Sequence, residues 1–220
     1  MIDGIRLKVC GMTTLVDADF ADRVGADALG FNLYPKSPRY LPLRQYTAMA
    51  PRLPTGRKRV AVMVEPNMAE LSTAQEAGFD RFQIHFNVTL PLVQVREWSE
   101  LVGPERLWLA PKLPPGSDVA PALLPLAGTF LLDTFHAEGF GGSGKTGDWE
   151  KFTRHRTAFP EKTWILAGGL NPDNIGEALT RSGANFVDVN SGVEAAPGVK
   201  DHAKLKSLVV AMHRAAEARK

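Results

Sequence analysis

The chain has a single cysteine in 220 residues. A lone thiol excludes a disulfide framework within the chain, and Cys10 is left as a buried small hydrophobe, a metal ligand or a reactive group. No Cys/His set has the spacing of a zinc site, so no structural metal is expected. Long basic runs are missing as well. The short cluster Arg57-Lys58-Arg59 reads as a solvated loop before a strand, and a net charge of +2 gives no footprint for nucleic acid. No apolar stretch reaches the ~18 residues of a membrane span, and no charged-then-apolar leader opens the chain. The expectation is a cytoplasmic protein with no nucleic-acid and no membrane partner.

What the chain does have is alternation. Hydrophobic residues make up 44% and charged residues 23%, enough at this length for one full core and a single domain over residues 1–220. Short apolar runs predict strands at Ile5–Val9, Ala28–Leu33, Arg59–Val64, Arg81–His85, Leu107–Ala110, Thr129–Thr134, Thr163–Ala167 and Phe186–Val189. Longer amphipathic stretches between them predict helices at Leu15–Val24, Leu43–Arg52, Met68–Ala77, Pro91–Leu101, Ala120–Leu126, Trp149–Arg156, Pro172–Ser182 and Asp201–Ala218. Asn67, Asp148 and Asn171 stand where helix N-caps are expected, the last with Pro172 as first helical residue. The fifth unit, with Pro111, Pro114, Pro115, Pro121 and Pro125, predicts a short or distorted helix.

A weak repeat supports this division. Gly25, Gly78 and Gly183 each end a helical run and open a strand, and the second interval is close to twice the first. A unit of roughly 26 residues gives about eight units in the chain. Eight alternating units predict an α/β fold with a parallel sheet. A closed (βα)8 TIM barrel is preferred over an open doubly wound sheet, because Cys10-Gly11-Met12-Thr13 stands where a dinucleotide fold would carry its glycine fingerprint.

In such a barrel the loops after the strands form the active face. The polar residues there are few. Cys10 and Gly11 follow the first strand, and Arg39 sits in a second loop stiffened by Pro35 and Pro38. Its guanidinium suits a carboxylate or phosphate, if it is not simply solvated. Gln83 and His85 share one strand face, where His85 is either a satisfied core histidine or a site residue. Asp133 ends an apolar strand, as a partly desolvated acid or a loop cap, and the glycine-rich run Gly139–Thr146 follows. Gly168-Gly169 and Ser191-Gly192 stand after the seventh and eighth strands, where such barrels cradle phosphate; a tight turn is the plainer alternative for the glycine pair. Asp188 shares a face with Asn190. Lys8, one pleat below Cys10, is placed by topology to pair with Asp188 across the seam of the barrel.

Taken together and in order, these motifs resemble the phosphoribosylanthranilate isomerase family. The resemblance rests on Lys8-Val9-Cys10-Gly11-Met12-Thr13, Tyr34-Pro35-Lys36-Ser37-Pro38-Arg39-Tyr40, Gln83-Ile84-His85 and Leu132-Asp133-Thr134. It continues through Gly141-Gly142-Ser143-Gly144-Lys145-Thr146, Ala167-Gly168-Gly169-Leu170-Asn171-Pro172 and Val187-Asp188-Val189-Asn190-Ser191-Gly192-Val193-Glu194. It implies an aldose–ketose isomerase of tryptophan biosynthesis, acting by Amadori rearrangement. By the resemblance Cys10 is the general base, Asp133 the general acid and Arg39 the contact for the anthranilate carboxylate. His85 and Asp188 lie near the substrate, and Gly168, Gly169, Ser191 and Gly192 bind its phosphate. It also implies no cofactor and no metal, a small phosphorylated substrate, and a monomer or weak homo-oligomer.

The chemistry asks for an aspartate of raised pKa and a cysteine of lowered pKa, with Lys8 as the influence on the thiol. Four positions depart from the family pattern. Phe86 stands for a glycine, with a ring that would narrow the mouth of the site or stack on the substrate. Gly147 stands for an aromatic residue, Asn190 for a serine and Asn32 for an apolar residue. Other phosphate-binding barrel isomerases fit less well. The histidine-pathway sugar isomerase uses two aspartates, and triosephosphate isomerase needs a glutamate after the sixth strand. A barrel that only binds phosphate is the non-enzymatic rival.

Overall fold

The computed structural model describes residues 1–133 and 148–219. Thr134, the glycine-rich run Gly139–Thr146 and Gly147 lie outside the described residues. Eight parallel strands follow one another: β1 (Arg6–Val9), β2 (Ala28–Asn32), β3 (Lys58–Val64), β4 (Arg81–Asn87), β5 (Leu107–Lys112), β6 (Thr129–Leu132), β7 (Thr163–Leu166) and β8 (Phe186–Val189). β1 pairs with both β2 and β8, which closes the barrel and excludes the open sheet. Around it run α1 (Leu15–Arg23), α2 (Leu43–Met49), α3 (Met68–Glu76), α4 (Leu92–Val102), α5 (Trp149–Ala158), α6 (Ile175–Ser182) and α7 (His202–Glu217).

Local chemistry sets most helix starts. Asn67 caps α3 in a capping box with Glu70, and Asp148 Oδ1 accepts from Lys151 N at 2.8 Å to open α5. α6 corrects the expected start at Pro172, since it begins three residues later. Asn171 Oδ1 accepts from Asp173 N and Asn174 N in a separate turn, and Asn174 Nδ2 donates to Gly169 O at 2.9 Å. Both asparagines hold the loop after β7 rather than the helix. The fifth unit has only a 3₁₀ turn over Pro121–Leu126, because Pro125 removes a helical donor. α2 likewise gives way to a 3₁₀ turn, Ala50–Arg52, at Pro51. A hairpin absent from the sequence expectation follows β8: β9 (Glu194–Ala196) and β10 (Val199–Lys200) turn at Pro197-Gly198, where Gly198 has φ +80°.

Side-chain alternation divides the core in two. Leu7, Val9, Phe31, Phe82 and Ile84 face outward into the large layer between strands and helices. Cys10, Ala28, Val60, Val62, Trp108, Ala110, Leu131, Ile165, Ala167 and Phe186 fill the barrel interior. Arg6 stacks over the Phe186 ring at 4.3 Å, and Trp108 meets that ring edge-on at 5.6 Å. Arg6, Lys8 and Cys10 therefore climb one face of β1, and only the last emerges among the loops.

Candidate active site

On the middle rung of that ladder Lys8 is wholly buried, and its Nζ donates to both Asp188 oxygens at 2.9 Å. The register pairs Lys8 with Asp188 directly, as the strand order predicted. Cys10 stands one pleat higher. Room for both comes from Gly30 on β2, where a Cβ would lie 2.9 Å from Cys10 Sγ and 3.0 Å from Lys8 Nζ. An alanine there would push the thiol and the ammonium out of place.

The electrostatics correct one expectation. Burial pushes the Cys10 thiol up from its ordinary value, while Lys8 and, more weakly, Lys200 pull it down; burial prevails. The expected lowering of the thiol pKa is therefore not met. Burial works to lower the lysine, but Asp188 and Cys10 together outweigh it and hold the Lys8 ammonium above the usual lysine value. Burial likewise raises the Asp188 carboxyl against the pull of Lys8. The symmetrical contact of both oxygens with Nζ fits an ammonium–carboxylate pair. His85 is pushed down to about 4, by burial first and then by the Lys8 charge, and is neutral at neutral pH. Gln83 Nε2 donates to His85 Nε2 at 2.8 Å, which leaves the ring proton on Nδ1.

The loop after β2 is built around the unexpected Asn32. Its Oδ1 accepts from Tyr34 N at 2.9 Å, and its Nδ2 donates to Ser37 Oγ, which accepts from Arg39 N at 3.1 Å. A polar residue at this strand end thus fixes the loop that carries Arg39. Phe86 does something other than expected. Its ring is 2% exposed and packs edge-on against Trp98 at 5.9 Å, on the helix side of β4. Gln83 and His85 point inward, so alternation sends Phe86 outward, away from the mouth.

On the opposite rim Gly168 and Gly169 have φ +95° and +62°. Asn171 and Asn174 both donate to the Gly169 carbonyl and lock this conformation. After β8, Ser191–Val193 forms a short 3₁₀ turn. Gly192 is obligatory in that turn, since a Cβ would run into the Leu170 carbonyl oxygen. Two loops whose backbones touch make a concave surface suited to an anion.

All nine residues singled out by sequence line one cavity of about 320 Å³: Cys10, Arg39, His85, Asp133, Gly168, Gly169, Asp188, Ser191 and Gly192. Sequence reasoning gave no role to two groups close by, Glu194 and Lys200. Arg39 is paired with Glu194, and Lys200 Nζ lies 2.8 Å from Glu194 Oε1 and 3.0 Å from Asn190 Oδ1. The available signal was the turn dipeptide Pro197-Gly198, which folds Lys200 back toward β1.

Residues 7–211 match the family model described as N-(5′-phosphoribosyl)anthranilate (PRA) isomerase. The chain belongs to this family. It is 37% identical to the N-(5′-phosphoribosyl)anthranilate isomerase of Pseudomonas putida (strain GB-1), over 96% of this chain and 98% of that one. The fold superposes on the phosphoribosylanthranilate isomerase of Thermus thermophilus with a TM-score of 0.78, at 32% identity, covering 96% and 99% of the two chains. A family structure in complex with reduced 1-(o-carboxyphenylamino)-1-deoxyribulose 5-phosphate matches with a TM-score of 0.71, at 30% identity over 97% of this chain and 99% of the other.

Proposed function

We propose that this member of the phosphoribosylanthranilate isomerase family converts N-(5′-phosphoribosyl)anthranilate to 1-(o-carboxyphenylamino)-1-deoxyribulose 5-phosphate in tryptophan biosynthesis, with Cys10 as general base and Asp133 as general acid. The observation that carries the reading is the convergence of a thiol, a carboxyl, an arginine and two glycine loops on one cavity. In this reading the glycine loops take the phosphate, Arg39 takes the anthranilate carboxylate, and the His85 Nδ1–H and Asp188 face the sugar between them.

Asp133 gives its proton to the ribose ring oxygen. The C1–O bond breaks as the nitrogen lone pair forms an iminium. Cys10 then takes the proton from C2, and the electrons of that bond form C1=C2 while the iminium electrons return to nitrogen. The enolamine loses its O2 proton and gains one at C1, so the net change is an isomerisation. A buried thiol of raised pKa is a poor base by itself. The iminium made in the preceding step adds positive charge to that of Lys8, and this added charge supplies what the resting site lacks.

A free catalytic thiol suits a reducing compartment, which supports the cytoplasmic expectation. The test is to mix the protein with freshly made phosphoribosylanthranilate and follow loss of its fluorescence. Parent protein should consume it rapidly, and Cys10→Ala and Asp133→Asn should each be slower by about 10²–10⁴-fold. Equal, slow decay in all three overturns the assignment.

A further inference from the structure

An arginine is a good carboxylate receptor only while its charge is uncompensated, and Arg39 is compensated from within the protein. Its Nε donates to both Glu194 oxygens, at 2.9 and 3.0 Å, and its Nη2 to Oε2 at 2.6 Å. Taken alone, that pair is a neutral unit with little to offer a second anion. Lys200 alters the balance. Its ammonium is fully buried and lies 2.8 Å from Glu194 Oε1. Two cations then share one carboxylate, and the group keeps one net positive charge, next to a cavity that Arg39 itself lines. The contact with Glu194 is side-on, through Nε and Nη2, so Nη1 and the second Nη2 hydrogen stay outside it.

We propose that Glu194 and Lys200 are positioning residues for Arg39. Glu194 fixes the direction of the guanidinium, and Lys200 restores the positive charge that Glu194 would otherwise cancel. The inference rests on the reading that Arg39 meets the substrate carboxylate. Two further features fit it. The lysine is anchored at both ends: its backbone N–H donates to Asp17 Oδ2 at 3.3 Å, and its Nζ donates to Asn190 Oδ1 at 3.0 Å, beside Ser191. The chain also leaves space for the group, since a Cβ on Gly11 would lie 2.6 Å from Asn190 Oδ1, 2.9 Å from Arg39 Cδ and 3.4 Å from Lys200 Nζ. Burial would raise the Glu194 carboxyl, but its bonds from Arg39 and Lys200 hold it below the ordinary value, as an ionised linker requires. Burial lowers the Lys200 ammonium, with Glu194 opposing.

The test compares two ligands on one site: reduced 1-(o-carboxyphenylamino)-1-deoxyribulose 5-phosphate and the same molecule lacking the ring carboxyl. Dissociation constants for both, and for inorganic phosphate, are measured by calorimetry on parent, Lys200→Met and Lys200→Gln proteins. The parent should prefer the carboxylated ligand. In Lys200→Met that preference should fall by about tenfold or more, with phosphate binding unchanged. If Lys200→Met gives no cooperative melt, Lys200→Gln carries the test, since it keeps hydrogen-bonding atoms without the charge. Equal weakening of both ligands would show a merely structural lysine and overturn the proposal, as would an unchanged preference. A parent with no preference for the carboxyl instead overturns the reading of Arg39 itself, and this inference with it.

Discussion

Lys8 shows how one residue can be expensive and indispensable together. Burying an ammonium costs several kcal/mol unless a partner meets it, and here both oxygens of Asp188 do so. Lys8→Met would strand the Asp188 carboxylate and should cost about 3–5 kcal/mol of stability in urea unfolding. The same change removes the strongest influence holding the Cys10 thiol down, and Cys10 is the sole cysteine. The rate of alkylation by iodoacetamide against pH therefore reports that thiol alone. Its midpoint should move to higher pH in Lys8→Met, and an unmoved midpoint would remove Lys8 from the account of the base. The Lys8–Asp188 pair was legible in the sequence because strand order and period-two alternation determine it. The direction of the Cys10 shift was not legible, since it depends on how much apolar surface covers the sulfur, and that surface comes from several strands. Phe86 differs for a simpler reason. Residue type suggests a ring at the mouth, but strand parity decides which layer a ring enters.

At the scale of elements, the site is held by loops whose side chains are spent on backbone groups. Asn171 and Asn174 fix the glycine turn after β7, and Asn32 with Ser37 fixes the loop after β2. This explains why the expected start of α6 failed: an asparagine before a proline has the chemistry of a cap, but both asparagines are committed to the loop. The hairpin after β8 was missed because its strands are two and three residues long, too short for alternation to register. Close contact between the two rim loops makes a specific demand on Gly192. Gly192→Ala should force the turn after β8 away from Leu170 and spoil the proposed anion cradle while the barrel stands. Binding of inorganic phosphate should weaken by about tenfold, with a melting temperature within a few degrees of the parent. Undiminished phosphate binding would place the anion elsewhere.

Across the whole molecule, pairing of β1 with β8 turns a chain of strands into one cooperative object, so a proton on a single buried group is felt as global stability. His85 is the clearest case. Its pKa falls from 6.5 in the unfolded reference to about 4 in the fold. Between these values the unfolded chain holds more of this proton than the folded one, so stability drops as pH falls across that window and levels off below it. Glu194 acts in the same sense at lower pH: its carboxyl is depressed below 4.5, so its contribution is present above that value and is lost as pH falls through the folded pKa. Asp188 opposes both, because a carboxyl raised by burial takes up its proton in the folded state first. The His85 contribution is bounded by roughly 3 kcal/mol, because each tenfold difference in proton affinity between the two states is worth about 1.4 kcal/mol. Urea midpoints measured from pH 7 down to pH 4 should therefore fall more steeply for the parent than for His85→Gln, which cannot take up the proton. Parallel curves would mean that the His85 ring is protonated as readily inside the barrel as outside it. That result would also remove the neutral Nδ1–H donor from the site.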